Sequence, residues 1–109
     1  MVKRKIVSSK AKKVIISVAL FGSVSAHQET AASDIDIVAV VENIKAKATV
    51  ERLLEEVDVK VSKEFGNTIS PYINTRAEFK LKHKKGLAVI KNILKSHKLI
   101  YGERLENLL

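Results

Sequence analysis

Two short segments carry residue types that can act together on a phosphorylated substrate. Gly22-Ser23 ends the apolar, β-branched run from Val14 to Phe21, and ten residues later stands Asp34-Ile35-Asp36. Backbone N–H groups at a strand-to-helix turn, with a serine hydroxyl beside them, form a cradle for phosphate. Glycine belongs there because a side chain would hold the phosphate away. Residues two apart on a strand project from one face, about 6–7 Å apart along the chain. Carboxylates so placed can share a Mg²⁺ ion or hold two metals roughly 3.5–4 Å apart. Mg²⁺ takes oxygen ligands and accepts substrate phosphates among them. Alone, a Gly-Ser is a turn and an Asp-x-Asp a solvated strand edge, since short motifs match by accident. In a strand–turn–strand setting the two together describe a site for a metal-bound nucleoside triphosphate.

The elements that must position these residues are legible as a coarse map. Val14 to Phe21 predicts a buried strand, and residues 23–33 a helical turn followed by a loop. Asp34 to Val41 alternates and then turns apolar, which predicts a second strand with one polar end. Asn43 can cap the element after it. Residues 46–65 fit two templates: Val50, Leu53, Leu54, Val57, Val61 and Phe65 have helical spacing, while Val57, Val59 and Val61 also alternate. Length favours one long helix stopped at Gly66-Asn67. Thr68 to Asn74 predicts a strand that Pro71 confines to an edge or an irregular position. Thr75 with Glu78 is a capping-box pattern, so a helix opens at Arg76 and breaks at Gly86. Leu87, Ile90, Leu94 and His97 mark a second helical face. Lys98 to Tyr101 predicts a last short strand, closed by Gly102. Leu105, Leu108 and Leu109 can pack on the domain or on a second chain, so a homodimer stays open.

Length and composition bound the rest. The 109 residues, 46% apolar, suit one globular domain, with 1–13 a basic arm or helix and 103–109 a tail. With no cysteine, disulfide frameworks and thiolate metal sites are excluded. No run approaches the ~20 apolar residues of a membrane span. Lysines at 10, 12 and 13 interrupt any signal-peptide core, so a cytoplasmic protein is expected. The net charge of +8 is unevenly spread. Residues 1–28 hold six bases and no acid, 29–64 nine acids against five bases, and 76–98 eight bases and one acid. An acidic middle between basic flanks suits a polyanionic partner.

The residues Leu20-Phe21-Gly22-Ser23 and Ser33-Asp34-Ile35-Asp36-Ile37 resemble the signature of the polymerase-beta-like nucleotidyltransferase superfamily, and within it the minimal, antitoxin-like group. Later segments are similar too: Glu64-Phe65-Gly66-Asn67, Ser70-Pro71-Tyr72, Glu78-Phe79, and Ile93-Leu94 through Ile100-Tyr101-Gly102. They look like members often joined to a winged helix, which the resemblance, spanning Val14 to Gly102, does not include. It implies an α+β nucleotidyltransferase fold, a small mixed β-sheet with helices packed mainly on one face. It implies that Gly22 and Ser23 hold the triphosphate, ATP before other nucleotides. Asp34 and Asp36 are then the catalytic carboxylates that ligate Mg²⁺ or Mn²⁺. A hydroxyl attacks the α-phosphorus and pyrophosphate leaves. Two features depart from the pattern. Family members often carry Ala-Arg-Gly where this chain has Ser25-Ala26-His27, which removes a phosphate contact and a tight turn. The family also uses a third acid on the next strand, a role open to Asp58 only if 57–61 is that strand.

Three functions are consistent with these residues, in order of preference. The first is a metal-dependent nucleotidyltransferase acting on a hydroxyl acceptor. The resemblance suggests a separate helical partner of HEPN type, in a toxin–antitoxin pair. The second is a catalytically weak nucleotide-binding, antitoxin-like regulatory domain. The third is a basic nucleic-acid-binding module, which predicts salt-sensitive binding independent of the aspartates. It is disfavoured by an aromatic content of 5% and no recognisable reading motif. His27, His83 and His97 lack metal-like spacing and read as surface or packing residues. Tyr72 and Tyr101 read as edge-packing residues.

Overall fold

A computed structural model describes residues 13–21, 34–65 and 68–109. Four strands form one mixed sheet in the order β3-β2-β1-β4. Strand β1 (Ile15–Phe21) runs antiparallel to both β2 (Asp34–Val41) and β4 (His97–Gly102). β2 and β3 (Thr68–Thr75) are parallel. A parallel pair needs a crossover, and helix α1 (Ile44–Phe65) supplies it. Helices α2 (Arg76–Lys84) and α3 (Ala88–Lys95) then lead into β4, and a 3₁₀ turn (Leu105–Leu108) comes last.

The apolar half of β2 shows why the sheet is covered twice. Ile37, Val38, Ala39, Val40 and Val41 are all fully buried, the mark of a central strand packed on both faces. Ile37, Ala39 and Val41 pack with Val50, Leu53, Leu54 and Val57 of α1. Val38 and Val40 pack with Phe79 of α2, Ile90 and Ile93 of α3, and Leu105 and Leu108. The α+β class and the small mixed sheet are as expected. The described helices, however, are divided between the two faces, where the resemblance implied packing mainly on one. An uninterrupted apolar run exposes side chains to both sides, so both need cover.

The ends of the helices reflect local chemistry. The Ala46 N–H donates to Asn43 Oδ1 at 3.0 Å, making Asn43 the cap of α1. Thr75 and Glu78 form the expected capping box, with Thr75 N–H to Glu78 Oε1 at 2.9 Å and Glu78 N–H to Thr75 Oγ1 at 3.1 Å. Helix α2 stops before Gly86, whose φ of +72° suits glycine. In α3 the buried residues are Ile90 and Ile93, while Leu87 is exposed and His97 opens β4. The Leu87–His97 face is thus rotated from the expected one by the early end of the helix. Leu105 and Leu108 settle into this domain's own core and Leu109 stays exposed. The expected N-terminal arm, the 23–33 turn and the Gly66-Asn67 stop lie outside the described residues.

The capping box makes α2 sensitive to acid. The Thr75 backbone bond, then the hydrogen bond from Lys47 Nζ at 3.0 Å, hold the Glu78 carboxyl below the usual carboxylate range. A lowered folded-state pKa means stability that is present above the unfolded value and is lost as pH falls through the folded one. Glu78→Gln is therefore expected to lower the melting temperature at neutral pH, where this stabilisation is present, and to flatten the acid limb of the profile, the two proteins converging as pH falls through the carboxylate range. An acid limb identical to wild type would remove Glu78 as a contributor.

Candidate nucleotide site at the β1–β2 end

Asp34 and Asp36 occupy the first and third positions of β2, as expected. Burial declines along the strand toward this end: Val38 is fully buried, while Ile35 and Asp36 are half-buried. A carboxylate is tolerated there because water and ligands reach it, whereas deeper in the strand its desolvation would cost several kcal/mol. Asp36 is paired with Phe21 on β1 and with Ser70 on β3. Phe21 is the residue that precedes Gly22-Ser23 in the sequence. Gly22 and Ser23 themselves lie outside the described residues.

Asp36 shares its sheet face with Val38 and Val40, the face packed by α2 and α3. Ser70 and Tyr72 alternate along β3 beside it, so the register lines the neighbouring positions with hydroxyls. Among the described residues no three His, Cys, Asp or Glu side chains cluster as a metal site. The donors on β2 are two carboxylates. That set fits Mg²⁺, which commonly takes one or two protein carboxylates and completes its shell with phosphate oxygens and water. It does not suit a soft metal.

Asp58 takes no part in this group. It lies within α1, which packs the opposite face of the sheet, and so it is not on the third strand. Its Oδ1 accepts the Ile69 N–H at 2.7 Å, fastening the start of β3 to the helix. Strand β3 itself, Thr68–Thr75, contains no acid. The role held open for Asp58 as a third catalytic carboxylate therefore does not pass to it. Helical length prevailed over the alternation through residues 57–61: Val57 is buried while Val59 is exposed, and both lie within the helix. Asp58→Ala is expected to cost about 1–3 kcal/mol, the loss of a charge-assisted bond to a backbone donor. It should leave any nucleotide-induced rise in melting temperature intact. Loss of that rise without loss of stability would return Asp58 to the site.

One cluster on this face is not visible in the sequence. Lys82 Nζ donates to Tyr72 Oη at 3.1 Å and to Asn74 Oδ1, and stands 4.8 Å from the centroid of the Tyr72 ring. Asn74 is fully buried, and its Nδ2 has no hydrogen-bond partner among the described residues. The Tyr72–Asn74 alternation is readable. The arrival of Lys82 from α2 depends on how that helix packs. His97 Nδ1 lies 2.8 Å from the Ile93 carbonyl and its Nε2 3.4 Å from Glu106, which makes it a packing residue as expected.

The family model for polymerase beta nucleotidyltransferases matches residues 4–106. The chain belongs to this family. It is a nucleotidyltransferase domain, and the resemblance carried by Gly22-Ser23 and Asp34-x-Asp36 is borne out at that level. No curated protein sequence matches it. Among solved structures it resembles spectinomycin adenyltransferase AAD(9) from Enterococcus faecialis, crystallised with ATP and spectinomycin, at 19% identity and a TM-score of 0.69. That match covers 98% of this chain but 57% of the adenyltransferase. A toxin–antitoxin complex with AMP-PNP matches at 18% identity and a TM-score of 0.50, covering 97% of this chain and 79% of the other. A mutant of the toxin–antitoxin pair MntA-HpeT matches at 15% identity, with the same TM-score and coverage. At such identities the likeness establishes the fold. No helix among the described residues is long and apolar enough to cross a membrane.

Proposed function

We propose that this nucleotidyltransferase domain binds a nucleoside triphosphate, ATP first, at the β1–β2 end and transfers its nucleoside monophosphate to a hydroxyl on a partner protein. The observation that carries the reading is the Phe21–Asp36 register pair, which joins the Gly22-Ser23 segment to the Asp34-x-Asp36 strand. Gly22 and Ser23 hold the phosphates through backbone N–H groups and a hydroxyl. Asp34 and Asp36 hold Mg²⁺ or Mn²⁺, which when bound offsets triphosphate charge and withdraws electrons from the α-phosphorus. The acceptor oxygen bonds to that phosphorus as the bond to the β-phosphate bridging oxygen breaks, and pyrophosphate leaves. The acceptor resides on a separate helical protein of HEPN type, as the antitoxin-like resemblance implies.

The absence of an acid on β3 favours a second reading: a domain that binds nucleotide and partner yet turns over slowly. With no carboxylate on β3 to take the acceptor proton, general-base help from that strand is missing, and such help is commonly worth 10²–10⁴-fold. Labelled ATP, Mg²⁺ and a co-expressed helical protein encoded beside this chain separate the two. Label on the partner with stoichiometric pyrophosphate supports transfer. A nucleotide-dependent rise in melting temperature without pyrophosphate supports the binding domain. If neither is seen, both readings fall.

A further inference from the structure

Seven lysines and no acid fall between residues 80 and 98, on the α2–α3 hairpin and the first residues of β4. Lys80, Lys84, Lys85, Lys91 and Lys95 are exposed. Lys82 is half-buried and turned to Tyr72 and Asn74. Glu78, at the start of α2, is taken by Lys47. No neighbouring carboxylate on the hairpin therefore neutralises this surface. Three large aliphatic side chains sit within it: Leu81 is 51% exposed, Leu87 40% and Val89 36%. The turn holds them close in the chain, with the Leu87 N–H bonded to the Lys82 carbonyl at 3.2 Å and the Lys85 N–H to the Leu81 carbonyl at 3.0 Å. The apolar stripe of α3, Ile90 and Ile93, is already committed to the sheet, so the exposed aliphatics are additional to what folding requires.

We infer that the α2–α3 hairpin is a docking surface for an acidic protein surface with an apolar centre. Exposed aliphatics interspersed with exposed lysines along one hairpin suit a protein interface, in which apolar side chains are desolvated among polar ones. The lysines select an acidic partner and speed its encounter. A nucleic acid would engage the lysines but leave Leu81, Leu87 and Val89 in water, and residues 80–98 contain no Phe, Tyr or Trp to stack on a base. A lipid surface needs a continuous apolar helix face to bury, and that of α3 is already spent. This surface stands whether or not the Asp36 site turns nucleotide over.

The test uses the full chain and a fluorescent amphipathic helical peptide, leucine on one face and glutamate on the other. Its controls are a lysine-for-glutamate peptide, a U-rich single-stranded RNA and phosphatidylserine vesicles. The expected result is saturable binding of the glutamate peptide that weakens from 50 to 500 mM salt, with none of the lysine peptide. Leu81→Ser combined with Leu87→Ser is expected to weaken it at least tenfold, with melting temperature and any Mg²⁺-ATP shift preserved. Both positions are exposed, and serine at 87 is a good cap for α3. Lys84→Glu with Lys85→Glu, which keeps the aliphatics, is expected to remove the salt dependence. Failure of the wild type to bind the glutamate peptide overturns the inference, as does full-strength binding by the double serine variant. RNA or vesicle binding that exceeds peptide binding and survives the serine substitutions overturns it too.

Discussion

Replacing Asp34 and Asp36 together by asparagine is expected to abolish the rise in melting temperature that the proposed function predicts for the wild-type chain with Mg²⁺ and ATP. A ligand that binds only the folded state, present at a hundredfold its Kd, stabilises by about 2.7 kcal/mol. In a domain of this size that is a rise of order 10 °C. Asparagine keeps the shape of each side chain but removes the charge that attracts a divalent cation. Without the cation the triphosphate charge goes uncompensated at this end of the sheet. Both residues belong to β2, and Asp36 stands at its half-buried end, so the substitution spares the packed run Ile37 to Val41. The unliganded variant should melt within a few degrees of wild type. Differential scanning fluorimetry across an ATP titration, with and without Mg²⁺, reads the effect. An unchanged shift in the double variant would sink the assignment of these residues.

Gly102→Ala is expected to be the most damaging small substitution in the fold. Gly102 ends β4 at a φ of +85°, where a β-carbon is strained. It is paired with Ser17, and a β-carbon there would overlap the Ile16 carbonyl oxygen and approach its carbonyl carbon to 2.9 Å. That oxygen also accepts the Glu103 N–H at 2.9 Å, and the buried Ser17 hydroxyl donates to the Glu103 carbonyl at 2.6 Å. The methyl must displace backbone, so the closure of β4 on β1 opens with it. Left-handed strain costs about 1–3 kcal/mol and overpacking against a rigid neighbour about 1–3 more. A loss of roughly 2–6 kcal/mol is a large part of the stability of a small domain. Urea unfolding checks it. A midpoint within experimental error of wild type would show that the close approach of residue 102 to the Ile16 carbonyl does not constrain the fold.

Much of the fold is legible in the sequence because its determinants are local. Strand β2 is readable at Asp34 to Val41 and forms there, since a change from alternation to a continuous apolar run marks where a strand leaves solvent for cover on both faces. The Thr75–Glu78 box and the Asn43 cap are readable because each bond spans three residues. The ambiguity over residues 57–61 is not local. Both periods are present, and the one kept is the one that buries Val57 in the core cluster that also holds Ile37 and Ala39.

The residue types Gly22-Ser23 and Asp34-x-Asp36 and the ten-residue spacing between them are read from the sequence alone, and the family they resemble is the one whose model matches residues 4–106. Tertiary structure decided three things. It placed Asp58 on the helix across the sheet, where it caps the start of β3. It divided the helices between both faces. It seated Leu105 and Leu108 in this domain's own core, which the sequence left open to a second chain. Each turns on contacts between residues far apart in the chain, and whether an apolar side chain finds such a partner depends on burial, which a periodicity cannot express.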